Sequence, residues 1–369
     1  MTTPLLFEAT ATTFTSLGIG SLADAISCYV TEERNGPYEL EMKYPITGQH
    51  FADLAEERII FVTPHERALD GQPFRIYKIT RPMNGIVTIY AEHVSYELDS
   101  IMVGPGLTAS TLSAALSLLS SSAVPSNSFT YWTDKSVTAA WTVEEVKSVM
   151  ACLKGEQGSI LDVYGGEFEF DGWTVKLHAN RGTDRGLVIS YGKNLTDLEK
   201  ESDISSVITG MRPYWKDGND QIVSLPAANP IVYNSHYTNY VYPRVQAIDV
   251  TDQYEQGISY SSMCTKARNY CSDYMSNNGT WELPANIRVK MIALWQTDEY
   301  KDNPVMINTV CNLCDTVTIK YEALGIETQS KVIKVVYDAL NGRNSEIEIG
   351  TKRETLNDLI AEVARRTKK

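Results

Sequence analysis

One pattern occurs twice, once in each half of the chain, and it limits the folds available. Residues 72–90 read QPFRIYKITRPMNGIVTIY and residues 329–349 read QSKVIKVVYDALNGRNSEIEI. Each begins with Gln, runs on as an alternating apolar strand, closes on Asn-Gly and returns as a second alternating strand. Asn84-Gly85 and Asn341-Gly342 supply the positive φ angles that tight hairpins need. Upstream of each copy lies another strand-like run, RIIFV at 58–62 and TVTIK at 316–320. Two unrelated hairpins can give the same shape, because Asn-Gly is the commonest hairpin signal. A true duplication gives the chain two similar β-domains, and a subunit with two similar domains can build a ring with twice as many similar positions as subunits.

The rest of the chain divides around this pattern. Residues 1–101 read as a first β-barrel domain, with ISCYVTEE and PYELEMKYP alternating about Arg34-Asn35-Gly36. At Gly104-Pro105-Gly106 the character changes, and 102–183 read as an α+β insertion domain. It carries a helix over 108–120 behind Thr108 as N-cap, with apolar residues at 109, 112, 115, 116 and 119. A strand FTYWT follows. A second helix is expected over 142–153, where Thr142 and Glu145 are spaced as a capping box. A hairpin turns at Asp171-Gly172. Residues 184–249 and 306–351 form a second, discontinuous β-barrel domain. Residues 250–305 and 352–369 form a peripheral α+β domain, with a helix over 258–276 stopped by Asn277-Asn278-Gly279 and a strand over 285–295. It ends in a helix over 353–366 with Leu356, Leu359, Ile360 and Val363 on one face. The fold class expected is α+β and β-rich: two similar small β-barrel domains plus two smaller α+β domains.

Composition narrows the function. With 369 residues, 43% hydrophobic and 21% charged, the chain has material for several packed cores. Its 21 Tyr outnumber 8 Phe and 6 Trp; that excess suits either strand-rich structure or contact surfaces. A net charge of −13 argues against a nucleic-acid reader, and does not exclude a surface past which DNA slides without adhering. The N-terminus has no basic n-region and no apolar core, so a signal peptide is not expected. No stretch approaches 18 apolar residues, so no spanning helix is expected.

No residue is assigned a catalytic, cofactor-binding or metal role. The six cysteines are too sparse for a disulfide scaffold, and Cys311-x-x-Cys314 stands alone, without a second pair or a nearby His. Cys28 falls in an alternating strand and Cys152 on an amphipathic face, so both read as small core residues. The five histidines, at 50, 65, 93, 178 and 236, are dispersed. His65-Glu66 is not the start of HExxH, because residue 69 is Leu. GxSxG and the phosphate-binding GxxxxGK[ST] are both missing.

Over nearly all 369 residues, in order, the chain resembles the tail-hub and tail-associated proteins of bacteriophages, the phage minor structural protein N-terminal region. The resemblance is carried by LADAISCYVTEERNGPYELEMKYP at 22–45, QPFRIYKI at 72–79, AEHVSYELDS at 91–100, and GGEFEFDGWTVKLHANRGTDRGLVISYGKNLTDLEKESDISSVITGMRPY at 165–214. The last contains the recurring RG-x-DRG piece (Arg181, Asp184, Arg185, Gly186) and YGKN (Tyr191 to Asn194). CDTVTIKYEALGIETQSKVIKVVYDAL at 314–340 matches the terminal strands, with Cys314 where such proteins more often have Gly.

The resemblance implies a structural protein, not an enzyme. It implies a homotrimeric ring at the tail tip of a virion, assembled in the host cytoplasm. The implied partners are a hexameric distal tail protein on one face, the tape-measure C-terminus in the lumen and a tip fibre, spike or receptor-binding protein below. Such a ring adapts six-fold to three-fold symmetry and passes DNA without binding it, with no membrane insertion by this chain. The alternatives are a tail-associated cell-wall-degrading enzyme, or the hub of a phage-tail-like bacteriocin or contractile injection system. Longer relatives carry a wall-degrading domain after this region, and the sequence stops at Lys369 directly after it.

Overall fold

A computed structural model describes residues 3–65, 70–83, 85–156, 158–191, 193–202, 204–205, 207–278, 280–281, 285–291 and 310–350. Six strands build the first repeat: Leu5–Phe7 (β1), Ser27–Glu33 (β2), Tyr38–Pro45 (β3), Ile59–Val62 (β4), Gln72–Thr80 (β5) and Ile86–His93 (β6). Their period of two sorts them. Tyr38, Leu40, Met42 and Tyr44 of β3 are buried while Glu39, Glu41 and Lys43 face out. Hydrogen bonding runs β2-β3-β6-β5-β4-β1.

An intervening segment ends in the hairpin Glu167–Asp171 (β7) and Thr174–His178 (β8). The second repeat follows as Asp184–Ser190 (β9), Leu195–Ser202 (β10), Ala285–Met291 (β11), Thr316–Tyr321 (β12), Ile326–Asp338 (β13) and Arg343–Ile349 (β14). Its strands run β10-β11-β14-β13-β12-β9, the first repeat's order strand for strand. The likeness extends to register. In the first hairpin Ile76 faces Ala91, then a one-residue shift sets Lys78 against Tyr90. In the second, Val332 faces Ile349 and the same shift sets Lys334 against Glu348. With Gln72 laid on Gln329 and Gly85 on Gly342, the two bulges fall one residue apart. One pairing differs: β1 is antiparallel to β4, whereas β9 is parallel to β12.

The turns differ from the tight Asn-Gly turns expected. Gly85 and Gly342 do have positive φ, +79° and +67°, but Asn341 does not. The loop closes instead by the Gly342 amide donating to the Asp338 carbonyl at 2.8 Å. The Asn341 side-chain amide also donates to the Asp338 carboxylate at 2.6 Å. Asn84 lies outside the described residues.

The long strand β13 joins the repeats. Its residues 326–331 pair with β12, and residues 334–338 pair antiparallel with β2, so both repeats share one 13-stranded sheet. The apolar core beneath it also takes in the segment between the repeats, through Leu112, Trp141, Phe168 and Leu177.

That segment corrects two sequence expectations. Its first helix is Leu112–Ser122, capped by Thr111 rather than Thr108, because Leu107–Thr111 pairs as a strand with Thr138–Val143. The helix expected over 142–153 begins only at Val149, where the Ser148 hydroxyl accepts from the Ala151 amide at 3.1 Å. Trp141 and Val143 are buried on alternate positions of the strand, which overrides the capping-box pattern.

By contacts the chain forms two compact units, residues 1–199 with 286–369, and residues 200–285. In the smaller unit, Gly210–Lys216 pairs with Ile222–Ser224, Val232–Tyr233 and Val245–Asp249. The helix Tyr260–Asn278 buries Met263, Ala267, Cys271 and Met275 at four-residue spacing. The sequence reading drew 184–249 into the second barrel; residues 210–249 bond among themselves instead. The smaller unit is inserted between β10 and β11, where the first repeat has only the turn at 34–37. The strand expected to 295 is described to Met291. The terminal helix over 353–366 lies outside the described residues.

Candidate functional site

A buried ionic seam lies where β2, β7 and the entries to β9 and β12 meet. Strand alternation places its first member. Cys28, Val30 and Glu32 occupy the inward positions of β2, so a carboxylate stands where an apolar residue is the norm. Glu32 accepts from Arg181 Nη1 at 2.7 Å, and the same nitrogen donates to the Phe168 carbonyl at 3.1 Å. Both side chains are mostly buried, 14% exposed for Arg181 and 12% for Glu32.

Glu167 lies beside this pair. It accepts from Lys331 Nζ at 2.6 Å, from the Arg181 backbone amide at 2.7 Å, and pairs with Arg34 Nε at 3.1 Å. Burial pushes its carboxyl up, but the Lys331 bond, the Arg181 amide and the Arg34 charge outweigh that and hold it below the ordinary carboxylate range. Glu169 and Asp171 are likewise held low against burial, Glu169 chiefly by Arg181 and Lys176, Asp171 by Lys176 and Gln72. Asn35, at the β2–β3 turn with φ +55°, donates to the Gly166 carbonyl and accepts from the Phe168 amide at 2.8 Å.

The RG-x-DRG piece is the clasp of this seam. Gly182 passes so close to β12 that an added Cβ would lie 1.9 Å from the Cys314 carbonyl oxygen. The next amide, Thr183, donates to Asp315 Oδ1 at 2.8 Å, and Arg185 Nε lies 3.5 Å from Asp315 Oδ2. Asp184 accepts from the Gly186 amide, which frees Gly186 to turn at φ +72°, and from the Gln329 side chain at 2.7 Å. Gln72, the counterpart of Gln329, donates to Asp171 at 2.8 Å. Each repeat's leading glutamine therefore holds an aspartate of another segment. Cys314 has φ +69°, the backbone a glycine adopts without strain.

The seam borders a partly open pocket of about 170 Å³ lined by Glu32, His65, Arg181, Arg185, Asn312 and Asp315. It is polar and roomy enough for ordered water. Each carboxylate of the seam is held by cations or amides, while His65 Nδ1 and Asn312 Oδ1 on the pocket wall are buried without a hydrogen-bond partner. Burial pushes the Cys314 thiol up to about 12, and it raises Cys152 and Cys271 to about 11. All six cysteines are buried and free. The histidines stay apart: His50 pairs with Asp53, His178 with Glu169, and His236 stacks on Trp281. Among the described residues no three His, Cys, Asp or Glu side chains group as metal ligands; residues 66–69, after His65, lie outside them. Sequence reasoning missed Glu32, Glu167 and Asp315. The legible signal was Glu32 on the inward parity of an otherwise apolar strand.

His93 is fully buried between Tyr38 and Phe74, and its ring is satisfied as the neutral form. Nε2 lies 3.1 Å from Gln72 Oε1, and Nδ1 accepts from the Ser95 amide at 3.2 Å. Burial lowers its pKa to about 3. Unfolding lets it take up a proton below about pH 6.5, so stability falls as pH drops from 6.5 towards 3. His65, lowered by burial, acts with the same sign. Glu167, Glu169 and Asp171 add a further loss below about pH 4.5, as their unfolded forms protonate first. We expect His93→Phe to flatten the dependence of the unfolding free energy on pH between 6.5 and 5 by roughly one group's share, about 1.4 kcal/mol per pH unit. An unchanged slope in calorimetry would show that His93 titrates normally.

Comparison with known proteins places the molecule. Residues 183–360 match the family model described as prophage endopeptidase tail. Prophage tail protein gp18 from Listeria monocytogenes EGD-e matches at TM-score 0.58 and 14% identity, over 99% of this chain and 99% of that one. The prophage MuSo2 43 kDa tail protein from Shewanella oneidensis matches at TM-score 0.53 and 10% identity, over 88% and 94% of the two chains. A tail protein from Neisseria meningitidis MC58 matches at 0.52 and 10%, over 90% and 93%. No curated protein matches the chain. The resemblance to phage tail proteins read from the sequence is thus borne out, in the family match over 183–360 and in the fold over nearly the whole length.

Proposed function

We propose that this chain, with the fold of phage tail proteins, is a structural tail-tip hub. Three copies form a ring that closes the six-fold tail tube and presents three-fold symmetry to the tip. The observation that carries this reading is the repeated strand order, β2-β3-β6-β5-β4-β1 and β10-β11-β14-β13-β12-β9. Two like repeats in one chain let three chains offer six near-equivalent positions, while the insertions that differ between repeats mark every second position. A hexameric distal tail protein would dock on the six-fold face. The tape-measure terminus would sit in the lumen, and a fibre, spike or receptor-binding protein would dock below. At −13 per chain the ring repels phosphate, which suits a channel that DNA traverses without adhering.

The role is non-enzymatic. Its support is that the seam's carboxylates are each held by cations or amides, and that the thiols of Cys28, Cys152, Cys271 and Cys314 are raised by burial. Sedimentation equilibrium of the purified protein, alone and with the distal tail protein, tests the assembly. The expected mass is three chains; a single chain under both conditions contradicts the reading.

A further inference from the structure

The sheet of the smaller unit is covered by its helix on one side only. Along Gly210–Lys216, Met211 and Trp215 are buried against Cys271 and Met263 of the helix. The alternate residues Gly210, Arg212 and Lys216 belong to the other face. Register sets Tyr233 and Val245 beside Gly210, Ala247 beside Arg212, and Ile222 beside Lys216, all on that face. The Tyr233 ring lies against Gly210, where an added Cβ would meet it at 2.9 Å. A solvated sheet face normally carries polar residues at these positions. Here Tyr233 is 43% exposed, Val245 42% and Ile222 72%. Aromatic and aliphatic residues with Arg and little acid are the composition of a protein interface.

Charge indicates what covers it. Arg212 and Lys216 make no ion pair among the described residues. Asp249, the acid at the end of this face, is taken up by the Thr251 amide and hydroxyl at 2.9 and 2.5 Å. The face is therefore positive on a chain of net charge −13. The outward face of β3 and β6 has the opposite excess. Glu39 stands directly opposite Glu92, with Glu41 two residues along, and like charges so placed repel. Arg75, across from Glu92 on β5, is held by Glu97 at 2.6 Å, and Lys78 lies over the Tyr90 ring. Burial and the carboxylates of Asp99, Glu39 and Glu57 push the Glu92 carboxyl up, with Arg75 opposing. Lys43 stands at the far end of β3 from Glu39.

We propose that the open sheet face of the smaller unit packs on the outward face of β3 and β6 in the next copy, with Arg212 and Lys216 set against Glu39, Glu41 and Glu92. The proposal rests on the ring reading above and names a contact that holds neighbouring copies together. Two sheets stacked face to face, about 10 Å apart, take Tyr233, Val245 and Ile222 out of water and offset a repulsion that each copy carries alone. The contact uses a different face on each copy, a head-to-tail arrangement that closes by rotation.

The test is a charge exchange read by sedimentation. Arg212→Glu with Lys216→Glu, and separately Glu39→Lys with Glu41→Lys, should each raise the concentration for half-assembly at least about tenfold. All four changes together should bring it back to within about threefold of the original. Lys266→Glu with Arg268→Glu makes the same change of charge on the helix of the same unit, and should shift it less than about threefold. If the unmodified protein assembles and the face variants do no worse than this control, the contact is wrong and the ring reading stands. A four-residue variant no better than either pair also overturns the contact. If the unmodified protein stays a single chain, both readings fail. Should a charge variant misfold, crosslinking replaces it: a cysteine at Ala247, combined in turn with one at Glu39, Glu41 or Lys43, is treated with a short bis-maleimide. Linked chains are expected from at least one pair, the native thiols being buried; none from any pair overturns the proposal.

Discussion

Replacing Arg181 with Ala is expected to lower the unfolding free energy by about 3–5 kcal/mol, enough to unfold a marginal domain. The loss comes less from the missing attraction than from what stays behind. Glu32 faces inward on β2, and without the guanidinium its carboxylate is buried with no cation at 2.7 Å. The Phe168 carbonyl loses a donor, and Glu169 loses the charge that most lowers its pKa. Arg181→Met with Glu32→Leu removes both charges and should recover most of the loss, because an apolar pair of similar volume carries no desolvation penalty. Urea titration of the three proteins measures this. An Arg181→Ala variant within about 0.5 kcal/mol of the original would show that the seam is solvated and not structural.

Gly182→Ala should be nearly as damaging, for a steric reason. The added Cβ would meet the Cys314 carbonyl oxygen at 1.9 Å and its carbon at 2.1 Å, both backbone atoms of a residue whose amide is tied to the Val332 carbonyl at 2.9 Å. Relief requires the entries of β9 and β12 to separate, which pulls the Thr183 amide from Asp315. Overpacking typically costs about 1–3 kcal/mol, and a backbone clash with a lost buried bond falls at or above the top of that range. Gly104→Ala is the control, since nothing lies within 4 Å of its added Cβ. Melting temperatures should place Gly104→Ala with the original and Gly182→Ala well below; equal values for the two would contradict the close approach.

Much of the fold is written in local pattern. The alternation of PYELEMKYP fixes which face of β3 is buried, and the two Asn-Gly hairpins carry the duplication that the strand order repeats. What was not legible depends on distant partners. TVEEVKSVMACL has a capping box and a helical period, yet Trp141 and Val143 pair as a strand with Leu107–Thr111, far upstream. Residues 200–285 were divided at 249 because their strands are short and carry no strong period; packing of Gly210–Lys216 on the helix Tyr260–Asn278, Trp215 with Met263 and Met211 with Cys271, holds them together. The seam escaped for the same reason. Glu32 and Arg181 are distant in the chain, and nothing near either one announces the other.

The central claim is that one chain supplies two like positions to a closed ring. Electron-microscope projections of the purified assembly, averaged without imposed symmetry, test it most directly. The account predicts a ring with a central hole, six similar inner densities and three-fold differences at the periphery. A ring of any other symmetry, or a particle without a central hole, would contradict it.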